Sequence, residues 1–344
     1  MLGLKRWAAG WMKAKSVSEP LILAYHRVAN LASDPQLLSV TPAHFTEHLE
    51  VLRRQYQTIP LRDLNNSLNR YVRRSRTVVV TFDDGYADNL YNAKSLLDRY
   101  DVPATVFIST AYIGGGREFW WDELARLLLQ AGTLPETLSL TVNGRTYHWT
   151  LGEGARYSTV ECERNRGWNV EMRRGLNARQ RLYRCLCQLI RPLYAEDRQN
   201  VLDVLLAWAG ATSAARPADR PLLHDEVASL GADGLVEIGS HTATHPVLSA
   251  LPPEIQRKEI EESKACLEEI LGHTVTSFAY PYGGKRDYLT STVTLLRAAN
   301  YTRACANFPN GLCKGIDPFQ LPRILVRDCD GEAFGRLLHE WFGD

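Results

Sequence analysis

Apolar positions along this chain come in two rhythms. Nearly unbroken short runs occur at Leu21 to Tyr25, Thr77 to Phe82, Ala104 to Ile108, Leu235 to Gly239, Thr276 to Tyr280, Tyr301 to Ala306 and Arg323 to Val326. Runs of this length without polar alternation predict parallel strands covered on both faces. Between them the apolar residues return every three or four positions. Phe45, Leu49 and Leu52 do so behind the Thr41-Pro42 helix start, and Leu90, Ala93, Leu96 and Leu97 do so within Tyr86 to Tyr100. Pro253 to Leu271, Arg286 to Ala299 and Glu332 to Phe342 follow the same spacing. Seven strands alternating with helices predict an α/β fold, a distorted (β/α)7-type barrel that is closed or nearly so.

The alternation breaks between Ala111 and Gly234. Gly114-Gly115-Gly116 opens this stretch, and Trp120-Trp121-Asp122 starts a helix running to Gln130. Leu138 to Trp149 predicts a hairpin turning at Asn143-Gly144, Ala178 to Ala209 a charged helical stretch, and Ala211 to Pro217 a linker. These segments predict an insertion, residues 111–234, in a loop that follows an early strand, where barrels carry specificity. The barrel itself is then residues 19–110 and 235–344, preceded by a basic amphipathic segment over 1–18. The Trp120-Trp121 pair is expected in the core of the insertion rather than on a sugar face.

Composition narrows the function. With 40 basic and 39 acidic residues, no global field recruits nucleic acid. Seven scattered cysteines suit a reducing compartment, and the sequence shows neither an 18-residue apolar span nor a signal-peptide pattern. A cytoplasmic location is the expectation. Leu4, Trp7, Ala8, Trp11 and Met12 share a helical face among Lys5, Arg6, Lys13 and Lys15, which suits peripheral contact with the inner face of a membrane as well as it suits packing on the domain.

The candidate chemistry lies at the ends of the predicted strands. Thr77 to Phe82 delivers Asp83, Asp84 and Gly85 to its carboxyl end. Two adjacent carboxylates repel one another and call for a cation. Past the Leu235 to Gly239 strand come His241 and His245, a pair expected one helical turn apart and suited to one metal. Phe278-Ala279-Tyr280-Pro281-Tyr282-Gly283 ends the next strand, and His26 stands at the tip of the first. Both acidic and histidine motifs fall on the functional face of such sheets.

In this order, Thr81-Phe82-Asp83-Asp84-Gly85, His241-Thr242 with His245-Pro246, and Pro281-Tyr282-Gly283 resemble the motifs of the polysaccharide deacetylase family, also called the NodB-homology or carbohydrate esterase family four fold. The resemblance covers about residues 20–110 and 235–330. It implies a hydrolase that removes an N-acetyl or N-formyl group from an amino sugar of a polysaccharide or lipid-linked glycan. It further implies Asp83 as general base, Asp84, His241 and His245 as ligands of a divalent metal, usually zinc, and the Tyr282 backbone N–H as an oxyanion donor. Two departures stand out. The Arg that commonly precedes the Pro-Tyr-Gly turn is replaced by Ala279-Tyr280, and Arg323 is the expected substitute. No late strand carries the family's acid histidine, since His339 falls on a helix. Tyr25-His26 and Phe278 to Gly283 are similar instead to the circularly permuted poly-N-acetylglucosamine deacetylases, which implies His26 as the acid for the departing amine. The alternative is a catalytically silent glycan-binding protein on the same fold.

Overall fold

The structure is a computed structural model that describes residues 20–64, 76–114, 116–309, 312 and 315–343. The basic amphipathic segment expected over 1–18 lies outside the described residues. Two compact units emerge, one from the described residues of Met1–Asn30, Leu38–Ile113 and Leu222–Asp344, the other from Leu31–Leu37 and Gly114–Pro221. The second unit is therefore narrower than residues 111–234, and the helix His224–Gly231 lies in the first.

The first unit is built on one parallel sheet. Its strands run in the order Leu321–Pro322, Arg303–Ala306, Ser277–Ala279, Val236–Ser240, Ala104–Ile108, Thr77–Phe82, Leu21–Tyr25, Ile324–Leu325, with Gln57–Thr58 pairing beside Thr77–Phe82. The first and last members of that order are one stretch of chain, interrupted only by Arg323. Leu321 and Pro322 pair with Cys305 and Ala306, while Ile324 and Leu325 pair with Leu23 and Ala24. Counted as one segment, residues 321–325 close a seven-membered β/α barrel, and Arg323 sits at the closure.

Strand alternation divides the core in two. Leu23, Val80, Val106, Ile238, Phe278 and Ile324 face helices, packing with Leu49, Leu97, Ile260, Leu296 and Leu338. Ile22, Val79, Phe107, Ala279, Cys305 and Leu321 form a separate cluster on the opposite parity, inside the barrel. That inner parity continues upward to Asp83, His241 and Arg323, so the rule that fills the barrel also aims these side chains into its mouth. Beneath them the Arg323 guanidinium lies 5.5 Å from the Phe107 ring centroid. Phe107 has room because Gly239 faces it: a Cβ at 239 would stand 2.5 Å from its ring.

Helices form close to their predicted positions. Thr41 caps Pro42–Gln55, and Pro253–Leu271 ends on the left-handed Gly272. The segment expected as one helix from Tyr86 to Tyr100 instead starts as a π-helix, Asn89–Lys94, and becomes α-helical only over Ser95–Tyr100.

In the second unit, the hairpin Thr137–Val142/Arg145–Thr150 turns at Asn143 and Gly144, whose φ values of 50° and 75° suit a tight primed turn. The stretch expected to be helical from Ala178 to Ala209 is two helices, Ala178–Ile190 and Ala195–Ala209, separated where Pro192 removes a backbone donor. Trp120 and Trp121 are buried, with Trp121 stacked on Phe119 at 4.9 Å. Buried Arg179 organises the unit by donating to the carbonyls of Leu128, Gln130, Gly132, Gly154 and Ala155. Among the described residues no helix is long and apolar enough to cross a membrane, and the six described cysteines are free.

Candidate active site

Asp83 is the residue on which the barrel mouth converges. It is 1% exposed, and Arg323, also 1% exposed, donates from Nη1 to its Oδ1 at 2.7 Å and from Nη2 to its Oδ2 at 2.6 Å. This two-pronged geometry is the strong form of a charge-assisted hydrogen bond. Burial pushes the Asp83 carboxyl up, but the guanidinium and neighbouring imidazoles outweigh burial and hold it at about 2. Arg323 is itself tethered, donating from Nη1 to Thr81 Oγ1 at 3.1 Å and from Nε to Asn307 Oδ1 at 3.0 Å. Thr81 in turn donates to the Leu23 carbonyl at 2.8 Å.

Asp84 follows immediately but points elsewhere, because its backbone is left-handed at φ 75° and Gly85 continues at φ 86°. Its Oδ1 lies 3.6 Å from His241 Nε2 and 3.3 Å from His245 Nε2. The three donor atoms fall within 4.8 Å of one another, and all three residues are buried. The two histidines do not share a helical turn, as their spacing predicts. His241 ends the Val236–Ser240 strand, and left-handed residues at Thr242 (φ 65°) and His245 (φ 56°) fold the loop back. His245 N donates to Thr242 Oγ1 at 3.1 Å, and the buried Glu259 carboxylate accepts from Thr244 N at 2.8 Å and from Thr244 Oγ1 at 2.6 Å. A β-branched residue at positive φ is costly, and such strain persists where surrounding structure enforces it.

A divalent cation fits this donor set. His241 Nδ1 donates to the Ala279 carbonyl at 2.8 Å, which fixes the proton there and leaves the Nε2 lone pair facing Asp84 and His245. Burial lowers the His241 pKa further, with Asp83 opposing, so the imidazole is neutral as a ligand must be. Two imidazoles and one carboxylate form an open set of the kind zinc takes in hydrolytic sites.

The third motif forms the adjoining wall. Tyr282 takes φ 61°, its ring meets His245 edge-on at 4.7 Å, and its carbonyl accepts from Asn307 Nδ2 at 3.1 Å. Asn307 thus links this turn to Arg323. His26 follows the Leu21–Tyr25 strand, with a buried Nδ1 that has no hydrogen-bond partner among the described residues. Burial drives its pKa down to about 4, with Asp83 opposing and Arg323 and His241 adding to the fall. His339 lies on the helix Gly331–Phe342 and lines a surface groove with Glu47, Glu50 and Arg336.

Asn307 and Glu259 are the participants that sequence motifs did not single out, and Thr81, the first residue of its motif, was given no part in holding Arg323. Thr81 and Asn307 had a findable signal, since each lies on the inner parity of its strand near the carboxyl end. Glu259 had a weaker one, a charge on the apolar face of an amphipathic helix.

A family profile described as polysaccharide deacetylase matches residues 70–135 and 203–304. A Bacillus subtilis (strain 168) protein assigned by name to the polysaccharide deacetylases, YxkH, is 32% identical over 108 residues, 31% of this chain and 37% of that protein. The match therefore spans little more than a third of that relative's length. Among solved structures, the Streptococcus pyogenes deacetylase PplD is similar with a TM-score of 0.56 at 16% identity, over 94% of this chain and 99% of PplD. IcaB from Ammonifex degensii gives a TM-score of 0.56 at 16% identity, over 96% and 99% of the two chains. At such identities these two structures speak for the fold alone. The profile match takes in the Asp83-Asp84-Gly85, His241/His245 and Pro281-Tyr282-Gly283 motifs, and the chain belongs to the polysaccharide deacetylase family, the NodB-homology or carbohydrate esterase family four fold.

Proposed function

We propose that this protein is a metal-dependent N-deacetylase that hydrolyses the N-acetyl or N-formyl group of an amino sugar in a polysaccharide or lipid-linked glycan. The observation that carries the reading is the division of labour between adjacent carboxylates, Asp83 pinned by Arg323 and Asp84 turned to two histidine Nε2 atoms. Asp84, His241 and His245 would hold the cation. When bound, a divalent cation, with zinc the best match for these donors, supplies Lewis acidity toward an acyl oxygen and makes water acid enough for a weak carboxylate base.

The chain's own residues do the rest. Asp83 is ionised at neutral pH and accepts the proton of the attacking water. Arg323 lowers its basicity but fixes its direction, and the oriented carboxylate is what a general base requires. The Tyr282 backbone N–H is the donor to the negative charge that develops on the acyl oxygen. His26 gives a proton to the departing amine, which leaves poorly as an anion. With a pKa near 4 in the free site, His26 starts neutral, so the proton it hands to the amine is one released from the attacking water during turnover.

Acyl release followed by mass spectrometry across nucleotide-linked, lipid-linked and free oligomeric N-acyl sugars tests this reading. One of these classes is expected to lose acetate or formate. In the same assay His26→Ala is expected to reduce kcat by roughly 10²-fold or more and to change its pH profile. An unchanged rate and profile would move the acid role to another residue.

A further inference from the structure

His26 is held by more than its own strand. Four backbone groups between Tyr25 and Val28 are bonded to a single segment of chain, the one that begins with Asp83 and Asp84. The Tyr25 carbonyl accepts from Asp83 N at 3.0 Å, and the His26 carbonyl accepts from Asn89 Nδ2 at 2.8 Å. Val28 N donates to Asp88 Oδ1 at 3.0 Å, and the Val28 carbonyl accepts from Asn92 Nδ2 at 2.7 Å. Arg27 completes the clasp by donating from Nε to Asp88 Oδ2 at 2.9 Å while its guanidinium lies 4.3 Å from the Tyr86 ring centroid.

The central bond of this clasp is made by a side chain that packing alone does not explain. Asn89 is 1% exposed, and its Oδ1 has no hydrogen-bond partner among the described residues. A buried amide with an unspent acceptor is unfavourable, and a leucine-like residue would fill the same helix face without that cost. Asn89 also opens the π-helix Asn89–Lys94, a rare winding that recurs at functional sites. Its remaining hydrogen-bonding capacity goes to the His26 carbonyl and, at 3.3 Å, to Asp88.

We infer that Asn89 is a positioning residue for His26. It fixes the backbone from which the imidazole projects, so the segment carrying Asp83 and Asp84 also sets where His26 stands. Proton transfer needs its partners within about 2.6–3.2 Å, and a displacement of about 1 Å can cost roughly 10²-fold in rate. The inference rests on the acid role proposed for His26.

A double-mutant cycle tests it, with kcat and KM measured on metal-loaded wild type, Asn89→Ala, His26→Ala and the double variant. Asn89→Ala is expected to lower kcat by roughly 10-fold to 10²-fold with little change in KM. That loss is expected to vanish in the His26→Ala background, because contacting residues that act through one group are not additive. Asn89→Ser, which keeps a short donor, is expected to recover part of the rate. A loss of the same size in both backgrounds, or no loss in Asn89→Ala, overturns the inference and leaves the acid role of His26 standing. A full rate in His26→Ala overturns the acid role, and the inference with it.

Discussion

Asp83→Asn is expected to reduce turnover of an N-acyl amino sugar by roughly 10²- to 10⁴-fold while leaving metal binding at one cation per chain. Asparagine keeps the shape of the side chain but cannot take a proton, and the cation set of Asp84, His241 and His245 does not include it. The substitution also leaves the Arg323 guanidinium buried without its anion. Stability is therefore expected to fall, by about 3–5 kcal/mol as for other broken buried pairs, so turnover is measured per folded, metal-loaded chain. Retention of full metal-dependent turnover would remove Asp83 from the role of base.

Arg323→Met is expected to act as strongly, and with a pH signature of its own. In the wild type the Asp83 carboxyl is held at about 2, below its ordinary value. A depressed carboxyl stabilises the fold above its unfolded pKa of about 4, and that contribution disappears as pH falls through about 2. Its size is on the order of 2 kcal/mol. Without the guanidinium, burial is the largest influence left on Asp83, opposed only by the His241 and His26 imidazoles, which are neutral at neutral pH, and it pushes the carboxyl above the ordinary value. The sign then reverses: the variant is least penalised at low pH, where Asp83 is protonated in both states, and loses stability as pH rises. Chemical denaturation at pH 4 and pH 8 is expected to show the deficit of Arg323→Met widening with pH, and the acidic limb of its activity profile moving toward neutrality. A deficit independent of pH would mean that Arg323 supports packing over Phe107 rather than the charge of Asp83.

Much of the barrel was legible because its strands are buried on both faces and so advertise themselves as unbroken apolar runs. The alternation within them carried more than fold. Asp83, His241 and Arg323 lie on the parity of Val79, Gly239 and Leu321, so their convergence follows from strand geometry once the barrel closes. What could not be read was the way in which the barrel closes. The sequence predicts a last strand over Arg323 to Val326, yet pairing runs over residues 321–325, whose two halves meet opposite edges of the sheet and leave Arg323 between them.

The loops were less legible than the strands. The His241 and His245 spacing suggested a helical turn, but Thr242 and His245 are left-handed, a conformation that sequence disfavours and that Glu259 and Thr242 hydrogen bonds enforce. The same holds for Asp84, whose positive φ separates its direction from that of Asp83. Tertiary hydrogen bonds decide these turns, and their partners lie up to several tens of residues away in sequence. The π-helix at Asn89–Lys94 is hidden for the same reason, since its apolar spacing reads as an ordinary helix.

The central claim is that one divalent cation, held by Asp84, His241 and His245, enables hydrolysis beside Asp83. Its most direct test is a titration of turnover against added zinc, starting from chelator-stripped protein and following acetate or formate release from an N-acyl amino-sugar substrate identified in the screen. Turnover is expected to be lost on stripping and to return in proportion to zinc up to one equivalent per chain, with no recovery in Asp84→Ala. Turnover that survives complete removal of metal, or that returns equally in Asp84→Ala, would contradict the account.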